Sequence, residues 1–363
     1  MVHIFLHVRK LDWILITSTL GLVAIGLVSI FSSSIARDNF SNFEKQLIFF
    51  AIGFCAMLAV SFFDYRLLRN VPYVILFLYF VGLAALAGLL MFAPEIRGTK
   101  AWYRIGWISV DPIEYVKIVL VVLMAKYFAL RHIEIYRMRH IFFTGVYFAL
   151  PTILIALQPN LGPALILGIL WIVLLFVAGI RIQHLLGILA IGILIFALGW
   201  SSFLLEHQKN RIISFLEPEL DPLGIGWSQL QSKIAIGNGR IFGQGFAQGT
   251  QTQYGFLSEP QTDFIFAAIA EEFGLLSISF IFLLLALFIW RVIKIGIHAQ
   301  DNFSRLYAAG FALLLIASTF INVGMNLGLL PIIGLSLPFV SYGGSSLIAT
   351  YIGLGILLSI KAH

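Results

Sequence analysis

Three acidic residues stand where a long polar segment gives way to a long apolar one. Asp263 ends the polar segment, and Glu271 and Glu272 follow inside the apolar run. An aspartate that precedes a helix can cap it, since Ser, Thr, Asp and Asn are the preferred N-cap residues. An ionised carboxylate at a membrane surface can also serve as a general base. The local sequence leaves both interpretations of Asp263 open, and it predicts that at least one of the two glutamates faces the protein interior.

The remaining sequence indicates which elements position these acids. Hydrophobic residues make up 60% and charged residues 11% of the 363 residues, and the mean hydropathy is +0.98, whereas a soluble domain carries about 25% charged residues. The composition therefore predicts an all-α, polytopic integral membrane protein and excludes a soluble enzyme. A bilayer crossing takes about 20 apolar residues. By this criterion we expect about ten transmembrane helices, at 12–33, 45–63, 71–92, 113–130, 141–157, 161–179, 184–204, 264–290, 306–329 and 342–360.

The basic residues predict the orientation of these spans. An even number of spans places both termini on one side, where twelve Lys and Arg residues fall, against five in the short loops opposite. Because short cytoplasmic loops carry the excess of positive charge, both termini are predicted to be cytoplasmic and one long loop, at about 205–262, to be extracytoplasmic. The net charge of +6 follows from this topology and needs no nucleic acid as a partner. A single cysteine, Cys55, excludes an internal disulfide.

Two further features have the composition of functional sites. The glycine-rich segment 237–251 is consistent with a loop whose backbone N–H groups hold a phosphate, and equally with a surface loop of tight turns. Glu114 and Lys117 lie three residues apart in a predicted span, so they share one helix face. Since charges inside a bilayer are costly, this pair is interpreted either as a structural ion pair or as part of a polar cavity or proton relay.

Several motifs, taken together, resemble the SEDS family of polytopic cell-wall glycosyltransferases over nearly the whole chain. The motifs are Asp221-Pro-Leu-Gly224, Gln231-Ser-Lys-Ile-Ala-Ile-Gly237, Gly243-Gln-Gly-Phe246 with Gly249-Thr-Gln251, Thr262-Asp-Phe-Ile-Phe266 with Glu271-Glu-Phe-Gly274, and Asn322-Val-Gly-Met325 through Leu337-Pro-Phe-Val-Ser-Tyr-Gly-Gly-Ser345. Residues 249–251 and 257–259 favour the elongation-specific RodA branch over the division-specific FtsW branch. The resemblance implies one SEDS-type domain over residues 1–363, in the bacterial cytoplasmic (inner) membrane.

The resemblance also implies a reaction. Lipid II, a disaccharide-pentapeptide on undecaprenyl diphosphate, would be polymerised into glycan strands on the outer membrane face. Asp263 matches the family's catalytic acid and would deprotonate the acceptor's 4-hydroxyl, which attacks the donor's anomeric carbon with inversion and expels undecaprenyl diphosphate. Cations on the outer face would neutralise this leaving group. The residues expected to contact substrate are Glu114, Lys117, Lys100, Arg104, Lys45, Arg211, Lys233, Glu259, Ser341 and Ser345.

Partners and alternative functions complete the expectation. The resemblance implies a class B penicillin-binding protein that crosslinks the strands, together with elongation-complex proteins such as the Mre scaffold. A divalent cation, Mg²⁺ or Mn²⁺, could assist at the diphosphate, although the sequence shows no cluster of metal ligands. Two other function classes stay open. One is a lipid II flippase or transporter, which paired intramembrane charges would also suit, and the other is a non-catalytic scaffold of the elongation complex.

The chain departs from the family's motifs at positions around the expected site. The departures are Ala101, Asp111, Ile113, Asn160 and Gln261. They replace, in order, an arginine, the first and third residues of a Gln-Pro-Ser-Glu motif, an aspartate and a histidine. Asp263 itself is retained, so the expected base survives among altered neighbours.

Overall fold

The computed structural model describes residues 7, 9–96, 98–106, 108–131, 138–202, 205–217 and 224–363. Asp221, Pro222 and Leu223 of the first motif lie outside these residues. Helices dominate, which confirms the all-α class. In chain order the elements are α1 (Trp13–Ala36), α2 (Ser41–Phe62), α3 (Arg66–Asn70), α4 (Pro72–Phe92), β1 (Tyr103–Ile105), β2 (Ile108–Val110), α5 (Pro112–Arg131), α6 (Met138–Ala156), α7 (Leu161–Val177), α8 (Ile182–Ser202), α9 (Glu206–Leu216), α10 (Ile225–Gly239), α11 (Thr250–Gln253), α12 (Ile265–His298), α13 (Asn302–Asn326) and α14 (Gly344–Ala362).

The helices confirm a multi-pass membrane protein. Within the described residues, eight of them (α1, α2, α4, α6, α8, α12, α13 and α14) are long and apolar enough to cross a membrane. Each of the ten predicted runs coincides with a helix, but two helices fall short of that criterion. Helix α7 has only 17 residues, and α5 carries charged residues at Glu114, Lys117, Lys126 and Arg131. Membrane crossing by α5 and α7 therefore stays a prediction.

A short antiparallel hairpin, which the sequence did not predict, precedes α5. Strands β1 and β2 pair in the register Tyr103↔Val110 and Arg104↔Ser109. Gly106 lies in the turn with φ 63°, a conformation that favours glycine. The hairpin ends immediately before Asp111 and so fixes the direction from which the chain enters α5.

The chain forms two compact units, each assembled from three separate stretches. The first unit comprises Met1–Ala59, Asn210–Arg291 and Ser318–Leu354. The second comprises Val60–Lys209, Val292–Ala317 and Gly355–His363. Neither unit is a continuous segment, and the expectation of a single domain over the whole chain stays a prediction.

In the first unit, α12 is interrupted at Gly274, which has φ 71° and ψ −170°. The part after this break, residues 275–298, is about 36 Å long at 1.5 Å per residue. That length alone suffices to cross a hydrocarbon core about 30 Å thick. The part before the break, residues 265–273, follows directly on the segment around Asp263.

The long loop at 205–262 is largely structured, because α9, α10 and α11 lie within it. Its glycine-rich segment 237–251 packs against the break in α12. The N–H of Leu275 donates to the carbonyl of Arg240 (2.9 Å). A Cβ atom on Gly243 would overlap the carbonyl oxygen of Glu272, and the φ of this glycine is +81°. Close packing of backbone against backbone thus accounts for glycine at position 243, and both interpretations of the segment stay predictions.

Candidate functional site

A tight turn delivers the chain from the loop into α12. Glu259 has φ 47°, and its carbonyl accepts hydrogen bonds from the N–H groups of Thr262 (3.2 Å) and Phe264 (3.3 Å). The first helical bond runs from the N–H of Ala268 to the carbonyl of Phe264 (3.0 Å). Phe264 is therefore the N-cap residue by position, and Asp263 precedes it with a half-buried side chain.

The start of α12 receives a cap from another helix. The N–H of Ala267, in the first turn, donates to Oδ1 of Asn326 (3.2 Å). Asn326 is fully buried at the end of α13. This side-chain amide oxygen serves a first-turn N–H in the way that a local N-cap side chain does. The geometry therefore weakens the interpretation of Asp263 as the residue that caps its own helix.

Two asparagine amides hold the main chain of Asp263. Its carbonyl accepts hydrogen bonds from Nδ2 of Asn326 (2.9 Å) and Nδ2 of Asn322 (3.2 Å). Asn322 also donates to the carbonyl of Leu335 (2.7 Å), in the segment that follows α13. Both asparagines are fully buried and lie one helical turn apart. They join the start of α12 to the segment between α13 and α14.

That segment, residues 327–343, lies beside the carboxylate of Asp263. The Oγ of Ser341 donates to the carbonyl of Thr262 (2.8 Å) and accepts from the N–H of Leu337 (2.8 Å). A Cβ atom at Gly334 would lie 3.7 Å from Oδ2 of Asp263, and Gly334 has φ +77°. The carboxylate of Asp263 therefore lies close to Gly334, a position where the backbone conformation favours glycine.

Helices α1 and α2 contact the turn that precedes Asp263, through Gln261. Its Oε1 accepts from Nδ2 of Asn42 (2.7 Å), and its Nε2 donates to Oγ of Ser34 (3.3 Å). Lys45 follows Asn42 by three residues and so lies on the same face of α2. Gln261 thus replaces the family's histidine with an amide whose two ends both bind neighbouring helices.

Gln46, on α2, binds the far end of the 327–343 segment. Its Nε2 donates to the carbonyl of Ser341 (3.2 Å), and its Oε1 accepts from the N–H of Gly343 (3.2 Å). The segment that carries Asp263 and the segment that faces it are thereby tied to the same helix.

The other expected substrate contacts in this unit lie around α10 and α14. Lys233 is exposed on α10, and its side chain passes over Gly328, where a Cβ atom would overlap it. The preceding residue, Ser232, donates from Oγ to the carbonyl of Asn326 (2.8 Å). The structure thus brings Lys233 to the helix end that carries Asn326. Arg211 on α9 and Ser345 on α14 belong to the same unit.

The two glutamates that follow Asp263 are both buried, as predicted for at least one of them. The carboxylate of Glu271 accepts from the N–H groups of Gln251 (2.7 Å) and Thr252 (3.0 Å), so it caps α11. Glu272 accepts from Oγ of Ser32 (2.6 Å) and Nε2 of Gln253 (2.8 Å). These acids organise the loop against the helix break, a structural role.

In the second unit, the expected ion pair on α5 is present. Nζ of Lys117 lies 2.7 Å from both carboxylate oxygens of Glu114, and the side chains are 7% and 15% exposed. Asp111 precedes Pro112 at the start of α5, and its Oδ1 accepts from the N–H of Ile113 (2.9 Å). The family departure at position 111 thus supplies a helix cap. Burial, and then the nearby charge of Glu114, raise the pKa of Asp111 to about 7.

Lys100 and Arg104 also belong to the second unit. The N–H of Lys100 donates to the carbonyl of Gln158 (3.4 Å), and Arg104 is exposed on β1. Ala101, where the family has arginine, is fully buried. The cations expected at the diphosphate are therefore divided between the units, with Lys45, Arg211 and Lys233 in the first.

Sequence reasoning assigned no role to the residues that hold Asp263. Asn322 begins one of the family motifs, whereas Asn326, Asn42 and Gln46 lie outside those motifs. The available signal was two amides spaced i, i+4 in an otherwise apolar helix, because buried polar groups need hydrogen-bond partners. Their partner, a carbonyl 59 and 63 residues away, could not be inferred from that spacing.

The described residues do not supply a ready metal site. In that part of the chain no group of three or more His, Cys, Asp or Glu side chains is placed to hold a metal ion. Divalent cations such as Mg²⁺ bind through carboxylates and substrate phosphates. A divalent cation at the substrate's diphosphate therefore stays a prediction.

The fold and the site define a multi-pass membrane protein with an acid held at the start of a broken helix. The sequence profile of FtsW, RodA and SpoVE, described as "Cell cycle protein", matches residues 10–363. The chain therefore belongs to the FtsW/RodA/SpoVE family, which confirms the resemblance drawn from its motifs.

Individual relatives are similar over nearly their whole length. Peptidoglycan glycosyltransferase MrdB of Escherichia coli (strain K12) is 34% identical over 97% of this chain and 94% of its own. Stage V sporulation protein E of Bacillus subtilis (strain 168) is 34% identical, with 97% of each chain covered. A probable peptidoglycan glycosyltransferase FtsW of Trichlorobacter lovleyi is 35% identical over 98% of this chain and 94% of its own.

Solved structures show the same fold. A chain from a peptidoglycan synthase complex, described as coordinating polymerization and crosslinking, matches with TM-score 0.82 and 29% identity, covering 97% of both chains. The rod shape determining protein RodA of Thermus thermophilus matches with TM-score 0.70 and 26% identity, covering 97% of this chain and 96% of that one.

Proposed function

We propose that this protein is a peptidoglycan glycosyltransferase that polymerises lipid II into glycan strands during cell elongation, on the outer face of the cytoplasmic membrane. Family membership and the names of the relatives support the activity. The observation that carries the role of Asp263 is its placement: its carbonyl is held by two buried amides, while its half-buried carboxylate faces Gly334.

The carboxylate of Asp263 acts as the general base. It accepts the proton of the acceptor's 4-hydroxyl as that oxygen attacks the anomeric carbon of the donor. The bond from this carbon to the diphosphate oxygen breaks, the configuration inverts from α to β, and undecaprenyl diphosphate leaves with the bonding electrons. The base half of an inverting glycosidase follows the same logic, with water as the nucleophile. Glycine at position 334 places no side chain of its own at this carboxylate.

The leaving diphosphate needs positive charge more than it needs a proton, because its oxygens carry the developing charge. Lys45 and Lys233 are the first candidates, since the contacts of α2 and α10 connect both to the segments around Asp263. Arg211, Lys100 and Arg104 are the remaining cations expected to contact the substrate. Glu259, Ser341 and Ser345 stay predicted substrate contacts, although the Oγ of Ser341 already makes two backbone hydrogen bonds.

The Glu114–Lys117 pair lies on α5, in the second unit. The pair is buried and satisfied internally, which supports a structural ion pair. The same burial of paired charges would suit a flippase, the second candidate function, because transporters place such pairs near the bilayer midplane.

A crosslinking partner follows from the same proposal. The similarity to a chain of a synthase that combines polymerization and crosslinking supports a class B penicillin-binding protein as that partner. The Mre scaffold is the expected associate on the cytoplasmic side.

The test is glycan-strand formation from labelled lipid II in detergent, with the cognate class B penicillin-binding protein present. Asp263→Asn keeps the shape of the side chain and removes the base, so we expect a loss of about 10²–10⁴-fold. Equal activity of folded wild type and variant would refute the role of Asp263. If neither is active but the wild type moves lipid II across vesicles, the flippase hypothesis replaces the polymerase. A protein that does neither, yet supports elongation, would be a scaffold.

A further inference from the structure

Two asparagine amides are buried in α13, an otherwise largely apolar helix. Asn322 and Asn326 are fully buried near the end of α13. Burying an amide without partners costs roughly 1–3 kcal/mol, so such residues persist where their hydrogen bonds serve the fold or the function. Both amides donate to the same acceptor, the carbonyl of Asp263.

Asn326 uses both ends of its amide on the same short segment. Nδ2 donates to the carbonyl of Asp263 (2.9 Å) and to the carbonyl of Asn322 (2.8 Å). Oδ1 accepts from the N–H of Ala267 (3.2 Å). One side chain therefore fixes the peptide group that follows Asp263 and also the first turn of the helix that this peptide enters.

The second amide extends this hold to the facing segment. Asn322 donates to the carbonyl of Asp263 (3.2 Å) and to that of Leu335 (2.7 Å), the residue after Gly334. Asn322 thus connects the main chain of Asp263 and the residue after Gly334 to the same turn of α13. Any rotation of the peptide after Asp263 would break at least two hydrogen bonds.

We infer that Asn326, assisted by Asn322, is a positioning residue for Asp263. This inference rests on the proposed function, in which Asp263 is the base. Both amides donate to the main-chain carbonyl of Asp263. They fix the main chain from which the carboxylate projects, and so they hold it beside Gly334. A misplacement of about 1 Å in a catalytic group can cost on the order of 10²-fold in rate.

A purely structural role makes a different prediction, and the chain offers a matched control. Ser232 is also fully buried and also bonds the end of α13, through the carbonyl of Asn326 (2.8 Å). Ser232→Ala removes this hydrogen bond and a longer contact to Oδ1 of Asn326 (3.5 Å), but it removes neither of the side-chain N–H groups that bind the carbonyl of Asp263. A general packing role would make this variant and the asparagine variants behave alike.

The experiment measures kcat and KM for lipid II polymerisation, together with thermal unfolding in detergent, for Asn326→Leu, Asn322→Leu and Ser232→Ala. Leucine keeps the branching of asparagine at Cγ, with a larger side chain, and removes the amide. We expect Asn326→Leu to lower kcat by roughly 10–100-fold, with KM within about twofold, since the substrate contacts are kept. Asn322→Leu should lose less, and Ser232→Ala should retain wild-type kcat.

A double variant separates positioning from other causes. Asn326→Leu in the Asp263→Asn background should cause no further loss of the residual activity, because a residue that acts through Asp263 has nothing left to position. A further loss, a wild-type kcat in folded Asn326→Leu, or an equal loss in Ser232→Ala would each overturn the inference. If both leucine variants fail to fold, the amides are structural and the inference is also wrong. Full activity of Asp263→Asn alone would instead overturn the proposed function.

Discussion

Two aspartates, one in each compact unit, precede apolar helices and differ in what their side chains do. Asp111 stands immediately before Pro112 at the start of α5, and its carboxylate accepts the N–H of Ile113. Asp263 stands one residue before the cap position of α12, where the amide of Asn326 serves the first turn. The first aspartate stabilises its helix, whereas the second has its main chain held and its carboxylate placed beside Gly334.

The difference teaches that helix capping depends on a register of one residue. Pro112 favours the first helical position because its missing N–H needs no partner there, and this places Asp111 at the cap. After Asp263, Phe264 occupies the cap position before the helix begins. An acid moved back by one position lies outside the N-cap position of the helix.

The largest expected effect is the difference in activity loss between variants of the two aspartates. Asp263→Ala should lower polymerisation by about 10²–10⁴-fold, because it removes the base. Asp111→Ala should change it by less than about tenfold, because loss of a cap acts on stability. Initial rates of strand formation measure both. Comparable losses in the two folded variants would show that the two aspartates do not differ in their effect on catalysis.

The ion pair next to Asp111 offers the next largest effect. Lys117→Met would leave the buried carboxylate of Glu114 without its cation, which typically costs about 3 kcal/mol. Chemical denaturation in detergent would show this as a lower midpoint. An unchanged midpoint together with lost polymerisation would show that Lys117 acts on the substrate and is not there for the fold.

A smaller effect concerns stability at the two helix starts. Asp111→Ala should destabilise the protein by about 1 kcal/mol, as is usual for an N-cap. Asp263→Ala should cost less than Asp111→Ala, since Asp263 precedes the cap position. Unfolding free energies of the two variants, measured in the same detergent, test this. The reverse order of costs would restore Asp263 as a cap.

A separate prediction concerns the pH dependence of stability, to which Asp111 contributes. Folding raises the pKa of Asp111 from 3.8 to about 7, so the folded state binds this proton more tightly than the unfolded state. Its contribution to stability is therefore present at low pH and is lost as the pH rises towards 7. Asp111→Asn keeps a capping side chain but should flatten this part of the stability profile between about pH 4 and pH 7. Parallel profiles for variant and wild type would contradict the raised pKa.

Several features could be predicted from the sequence because they depend on near neighbours. Hydropathy over about 20 residues identifies membrane helices, and each predicted run coincides with a helix. The i, i+3 spacing of Glu114 and Lys117 predicted a pair that the structure confirms. Other features could not be predicted. The break at Gly274 and the hairpin before α5 arise from backbone contacts that hydropathy does not record.

The sequence by itself determined the membrane class, the positions of the helices and, through its motifs, the family and the acid to examine. Only the tertiary structure decided which aspartate caps its helix and what holds the other. The reason is physical: side chains on one helix meet over three or four residues, whereas the carbonyl of Asp263 binds amides 59 and 63 residues further along the chain. Such contacts exist only after α12 and α13 have packed together.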